Sequence, residues 1–453
     1  MDYEEFIKQK EIQTIQTGFD PIWIHEILFD FQKALTKWAI KKGRAAIWAG
    51  TGLGKSVMQL TWAENVHQYT GGSILILAPL GVTAQTKAEA EKMLGLDVKI
   101  CSSGADVIEG LNITNYEKLH KFDPSSFTGV VLDESSCLKN FTAKTKQLLI
   151  NMFGRTQYKL CCSATPSPND YTEIGNHAEF LNICTRSEML ATYFVHDSGS
   201  TQKWRLKGHA ENVFFKWIST WAVMIEKPSD IGFSDEITKL PKLNMFEHKV
   251  ESNVFDGELF VSHAQTLTER RKARRNSLES RCQLAADINN ASEEMFLNWC
   301  DLNDESSLLT KLIDGAVEVK GADKNEKKAE NLLAFAKGDI KKLVTKPKIA
   351  SMGLNLQLCH NMCFVGLSDS FEAFYQAVRR CYRFGQKKPV NVHVIISDKE
   401  GSVLQNIKRK EADAKKMLNE MVKFISINTI SDLKSETTEN HNNNVKFKMP
   451  KFI

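Results

Sequence analysis

The sequence has no apolar run approaching the ~20 residues that a membrane-crossing helix needs, which excludes a chain built around such helices. Met1-Asp2-Tyr3-Glu4-Glu5 is acidic and polar, so no secretory leader is expected. Both absences lead to the expectation of a cytoplasmic protein with no membrane partner. The 10 cysteines are scattered, and the adjacent Cys161-Cys162 is a poor arrangement for an ordinary disulfide, so reduced thiols are expected. There is no internal repeat at solenoid spacing. Cys359-His360-Asn361-Met362-Cys363 has no second Cys/His pair beside it, so core packing accounts for it better than zinc. Charge of one sign is nearly absent as a net quantity: 59 Lys and Arg oppose 55 Asp and Glu, leaving +4. This permits a nucleic-acid partner without demanding one. The basic run at 269–275 is explained about equally well by a solvated helix face and by a phosphate-contacting surface.

What is present is the composition of an ordinary soluble protein, with 42% hydrophobic and 25% charged residues. At 453 residues it is long enough for two or three domains. Its most informative segment is Ala49-Gly50-Thr51-Gly52-Leu53-Gly54-Lys55-Ser56. An apolar strand, Ala45-Ala46-Ile47-Trp48, leads into it and a helix start follows, the context a phosphate-binding loop needs. Thr51, Gly52 and Gly54 let backbone N–H groups converge on phosphates. Lys55 supplies a point charge for the β- and γ-phosphates and Ser56 a hydroxyl for Mg²⁺. The loop therefore predicts ATP and Mg²⁺ as ligands, although Ala49 stands where the general pattern has Gly.

Strand candidates at 73–78, 97–100, 110–114, 129–132 and 158–162 alternate with helical stretches, which predicts a parallel sheet with helices on both faces. Ligands lie beyond the C-terminal strand ends of such sheets. Asp133-Glu134 ends one strand, where Asp can hold Mg²⁺ and Glu can deprotonate the attacking water. Ser163-Ala164-Thr165 ends another. A second alternating block has strands at 295–300, 316–319, 342–345, 362–367 and 390–396, with helices at 326–337, 370–382 and 402–425. On the helix at 370–382 and its end, Arg380 and Arg383 are one turn apart. Two guanidinium groups on one face can stabilise charge on a transferring γ-phosphate, although a basic helix end also complements the macrodipole.

Gln32, the loop at 49–56, Asp133-Glu134, 163–165, Gly353-Leu354-Asn355 and 376–383 occur in an order that resembles superfamily 2 helicases, most closely the Swi/Snf-type DNA translocases. Ala is usual at the position of Ala49 in that superfamily. Ala78-Pro79-Leu80, Thr114-Asn115-Tyr116-Glu117, Leu138-Lys139-Asn140 and Arg383-Phe384-Gly385-Gln386 match the Swi/Snf-type pattern too. The resemblance covers roughly residues 28–396 and looks like a compact bacterial or bacteriophage version. It implies two RecA-like domains with the ATP site in the cleft between them. It further implies that Gln32 reads adenine, Asp133 places Mg²⁺ and Glu134 is the general base. Ser163, Thr165 and Gln376 would couple the nucleotide to domain movement, Gly353 would approach the nucleotide and the nucleic-acid backbone, and Arg380 and Arg383 would be arginine fingers. Ser135-Ser136 departs from the usual Ala-His or Ala-Asp, and Arg379 from a common Gly or Asp.

The expected organisation is an N-terminal RecA-like domain at 1–168 and a mainly helical connector at 169–290 that carries the basic stretch. A C-terminal RecA-like domain at 291–400, a helix at 401–430 and a disordered tail at 431–453 complete it. The expected function is an ATP-dependent motor on nucleic acid, with double-stranded DNA favoured as the partner. A strand-separating DNA or RNA helicase, a non-hydrolysing ATP-gated binding module and a P-loop phosphotransferase are the alternatives. Intact Lys55, Glu134 and Arg380 weigh against the second, and the second α/β block weighs against the third.

Overall fold

The computed structural model describes residues 17–79, 82–139, 143–167, 170–197, 200–251, 276–347, 349, 355–367, 370–397 and 401–435. Strands β1 (Arg44–Ala49), β2 (Ser73–Ala78), β3 (Val98–Ile100), β4 (Leu111–Asn115), β5 (Phe127–Asp133), β6 (Tyr158–Ser163), β7 (Phe194–Asp197), β8 (Ser200–Leu206) and β9 (Ala222–Ile225) come first. Among the described residues, β3-β4-β2-β5-β6-β1-β9 form one sheet in that order. Every pairing in it is parallel. The register aligns Trp48 with Ser163, Ala49 with Ile225 and Asp133 with Cys162. The loop after β1, Glu134 after β5 and Thr165 after β6 therefore emerge at one edge, as parallel connectivity requires. The antiparallel hairpin β7-β8 stands apart from this sheet.

Alternation of side chains along each strand divides the core in two. Ala46, Trp48, Leu75, Leu77, Val130 and Leu132 face one apolar cluster. Ala45, Ile47, Ile74, Ile76 and Val131 face another. The second cluster is roofed by helices α1 (Asp30–Lys42) and α2 (Lys55–Thr70), through Phe31, Leu35, Trp38, Met58 and Trp62. Burial on both faces is why these strands read as continuous apolar runs.

Strands β10 (Leu243–Val250), β11 (Phe296–Cys300), β12 (Ala316–Glu318), β13 (Lys342–Thr345), β14 (Asn361–Val365) and β15 (Val390–Ser397) build a second sheet. Its order is β10-β15-β14-β11-β13-β12, again parallel throughout. Helix α3 (Leu278–Asn290) covers one face of this sheet. Helix α4 (Phe371–Val378) and helix α5 (Gly401–Ser435) flank β15 in the chain. The protein thus has two α/β folds, each a parallel sheet flanked by helices. Among the described residues no helix is long and apolar enough to cross a membrane.

Three expectations need correction. The stretch 169–290 is not a mainly helical connector: β9 joins the first sheet beside β1, while β10 and α3 belong to the second fold. β9 is four residues long, and β10 is an edge strand with exposed positions along it, so neither gives the periodic signal of a buried strand. The helix expected at 370–382 stops at Val378, and Arg380 and Arg383 stand on the turns that follow. The helix expected at 402–425 runs to Ser435 and leaves its own fold. Its Met421 and Ile425 are buried in the first fold with Phe214 and Trp217. Phe424 stacks on Phe215 at 5.0 Å, and Tyr171 Oη donates to Glu420 Oε2 at 2.9 Å. Lys408 nearer its start pairs with Glu247 of β10. The basic run at 269–275, Leu80, Asn140, Gly353, Leu354 and the tail from 436 lie outside the described residues.

Candidate nucleotide site between the two folds

The loop between β1 and α2 owes its shape to Gly52 and Gly54, which have φ of 92° and 78°. Side chains rarely adopt such angles. A Cβ at Gly52 would also lie 2.9 Å from Phe384 N, and one at Gly54 would run into the Gln32 carboxamide. Gly50 N donates to Ile225 O at 2.9 Å, which ties the loop to β9. Lys55 Nζ donates to Ala49 O at 2.9 Å, so its ammonium lies inside the loop curve. Burial pulls its pKa down, and Glu134 and Asp133 oppose that shift.

Asp133 closes β5 and is buried. Burial first, then the neighbouring Glu134, pushes its carboxyl up to about 7. Its carbonyl accepts from Tyr116 Oη at 2.7 Å. Glu134 has φ 53°, a left-handed conformation costly for a residue with a Cβ, and Cys137 N donates to its carbonyl at 2.9 Å. Ser135, next in the chain, contacts His177 Nε2 through Oγ at 3.0 Å. Burial lowers the His177 pKa to about 4. Nothing in the sequence pattern pairs Ser135 with His177, because they meet only when the helix Ile174–Phe180 packs under the loop. Thr165 N donates to Ser163 Oγ at 3.2 Å, a local turn at the end of β6.

The second fold faces this edge with the turns after α4. Arg380 is anchored by its backbone, which accepts from Leu356 N at 3.1 Å. Burial draws its guanidinium pKa down to about 10, against the pull of Glu134. Burial also lowers Arg383, whose Nε has no hydrogen-bond partner among the described residues. Gln386 Nε2 donates to Gln357 O, Cys359 O and Cys381 O and so locks the turn. Phe384 packs edge-on against Phe29 at 5.9 Å.

A cavity of about 450 Å³ lies between the two folds. Thr51, Gly52, Gly54, Lys55, Ser56, Asp133 and Glu134 line one side of it, and Gln376, Arg380 and Arg383 the other. Ser163 and Thr165 are outside its lining; Thr165 borders a separate cavity instead. Gln32 is also outside it, since Nε2 donates to Leu53 O and Oε1 accepts from Phe29 N, both at 2.9 Å. Gln85 and Trp299 line the cavity without having been singled out in the sequence, and neither carries a motif that would have marked it. His360, set aside above as a metal ligand, contacts Glu294 Oε2 at 2.9 Å, and Cys359 and Cys363 are core residues.

Two parallel-sheet folds, with a phosphate-type loop on one and paired arginines on the other, define a tandem RecA-like architecture of the helicase class. Residues 53–229 match the family model of the SNF2-related domain, and residues 282–385 match the helicase conserved C-terminal domain. The chain belongs to the superfamily 2 helicases of the Swi/Snf type, and it is by family a nucleic-acid-dependent ATPase or helicase motor. No curated protein matches the chain.

Proposed function

We propose that the protein hydrolyses ATP in the cavity between its folds and uses the cycle to translocate on double-stranded DNA. The observation that carries this reading is the charge arrangement around the cavity. A lysine and two partly buried guanidiniums converge there from separate folds, one of them with an N–H unpartnered among the described residues, and two carboxyl groups stand opposite. A triphosphate supplies the negative charge such a site lacks.

In this reading the N–H groups of Thr51, Gly52 and Gly54, with Lys55, hold the β- and γ-phosphates. Ser56 and Asp133 offer oxygen donors suited to a hard cation. Mg²⁺, when bound there, neutralises phosphate charge. Glu134 takes the proton of the water that attacks the γ-phosphorus, as the bond to the ADP oxygen breaks. Arg380 and Arg383 stabilise charge on the transferring phosphoryl group. Gln32 holds the loop from behind, and the amide hydrogen that Leu53 does not take is the one left for an adenine edge. Ser163, Thr165 and Gln376 carry the coupling to domain movement.

ATP turnover measured without polymer, and with double-stranded DNA, single-stranded DNA or RNA, tests the proposal. Double-stranded DNA is expected to stimulate most, with stimulation falling as salt rises. Stimulation by none of the polymers would sink the motor. Triplex displacement without strand separation is expected; strand separation would make the protein an unwinding helicase instead.

A further inference from the structure

A second cavity, of about 470 Å³, shares no lining residue with the first. Its walls include Ala164 to Ser167 after β6, Glu226 just after β9, Arg379 and Tyr382 just after α4, and Lys415 on α5. The backbone at Glu226 is held on both sides. Ile225 O accepts from Gly50 N at 2.9 Å, and Asp230 Oδ2 accepts from Glu226 N at 2.7 Å and from Lys227 N at 3.0 Å. Arg379 is held by aromatic faces, its guanidinium carbon lying 5.1 Å from the Tyr375 ring centre and 5.3 Å from that of Tyr382. Glu226 is at the exposed rim, repelled by Asp230 and attracted by Lys415 and Arg379.

Each of the two groups is thus one residue from a part of the nucleotide site. Glu226 follows the strand end bonded to the P-loop, and Arg379 precedes Arg380. We infer that Glu226 and Arg379 form a positioning pair across the second cavity, which sets how far Arg380 stands from the P-loop. A small change in that spacing has a large effect on rate, because phosphoryl transfer depends on placement. The inference rests on the ATPase reading and adds to it a control point outside the nucleotide cavity.

The test is a cycle of Glu226→Gln, Arg379→Gln and the double variant, with Arg379→Lys as the conservative control. Each single variant is expected to lower kcat of DNA-stimulated ATP hydrolysis roughly fivefold. KM for ATP should change by less than about twofold. The double variant should be no slower than the slower single one, and Arg379→Lys should keep most of the rate. Small-angle scattering of the nucleotide-free protein should give a larger radius of gyration for Arg379→Gln than for the natural chain. Natural rates in both singles, or losses that multiply in the double, overturn the pair. If the natural chain turned over no ATP, the ATPase reading would fall. Scattering would still decide the pair, and an unchanged radius of gyration would refute it.

Discussion

Gly52 and Phe384, 332 positions apart by their numbering in the sequence, approach so closely that a Cβ on Gly52 would stand 2.9 Å from the Phe384 nitrogen. The P-loop of one fold thus touches the arginine-bearing turn of the other directly. Gly52→Ala combines that collision with an unfavourable φ of 92°. Strain of about 1–3 kcal/mol is expected. It should appear as weaker binding of a non-hydrolysable ATP analogue by calorimetry and as a lower thermal midpoint. Natural values of both would show that the contact yields easily.

Glu134→Gln keeps the size of the side chain and removes the carboxylate proposed as the base. Turnover should fall by a factor of about 10²–10⁴ while analogue affinity stays close to natural. Sustained hydrolysis in single-turnover kinetics would remove Glu134 from the proton-accepting role.

Arg380→Ala should lower kcat by a factor on the order of 10³ or more, with a much smaller change in analogue affinity. Equal losses in binding and rate would instead make Arg380 a ground-state binding residue.

Arg281 and Glu305 form an ion pair of 2.7 Å with both side chains fully buried. Glu305 also accepts from Asp301 N and Leu302 N at 2.9 Å, so it caps the start of its own helix, Asn303–Leu312. Arg281→Met strands a buried carboxylate and should cost about 3–5 kcal/mol in denaturant unfolding. A cost under about 1 kcal/mol would mean that Glu305 takes up a proton or a water at little expense.

Lys159 is buried in β6, with Nζ donating to Phe180 O at 2.8 Å. Burial lowers its pKa from 10.5 to about 7, and Arg44 adds to the shift. Between those values the unfolded chain holds a proton that the folded chain lacks. Stability therefore drops as pH falls through this window, and the penalty is complete below about 7. Lys159→Met removes the titration, so its thermal midpoint relative to the natural chain should be higher at pH 6 than at pH 9.5. The same difference at both pH values would contradict a lowered pKa.

Much of the first fold was legible because its strands are buried on both faces and end in chemistry-bearing residues. Ala45 to Trp48 before the glycines, and Val130 to Leu132 before Asp133, announce both strand and site in a few residues. β10 was not legible, because as an edge strand it needs apolar residues on little of its surface. The end of α4 at Val378 was missed for a related reason: the turns at 379–386 are held by Gln386 reaching back to Gln357, Cys359 and Cys381, a tertiary arrangement with no helical period.

By itself the sequence determined that a P-loop follows a strand, that Asp133-Glu134 ends another, and that a second α/β block carries paired arginines. Each of these is a short-range pattern in which neighbours along the chain fix the backbone. Only the tertiary structure decided that Gly52 meets Phe384, that Gln32 turns its carboxamide to Leu53, and that Glu226 and Arg379 share a cavity. Those contacts depend on how two separately cored sheets and the long helix α5 settle against one another, which no local periodicity encodes.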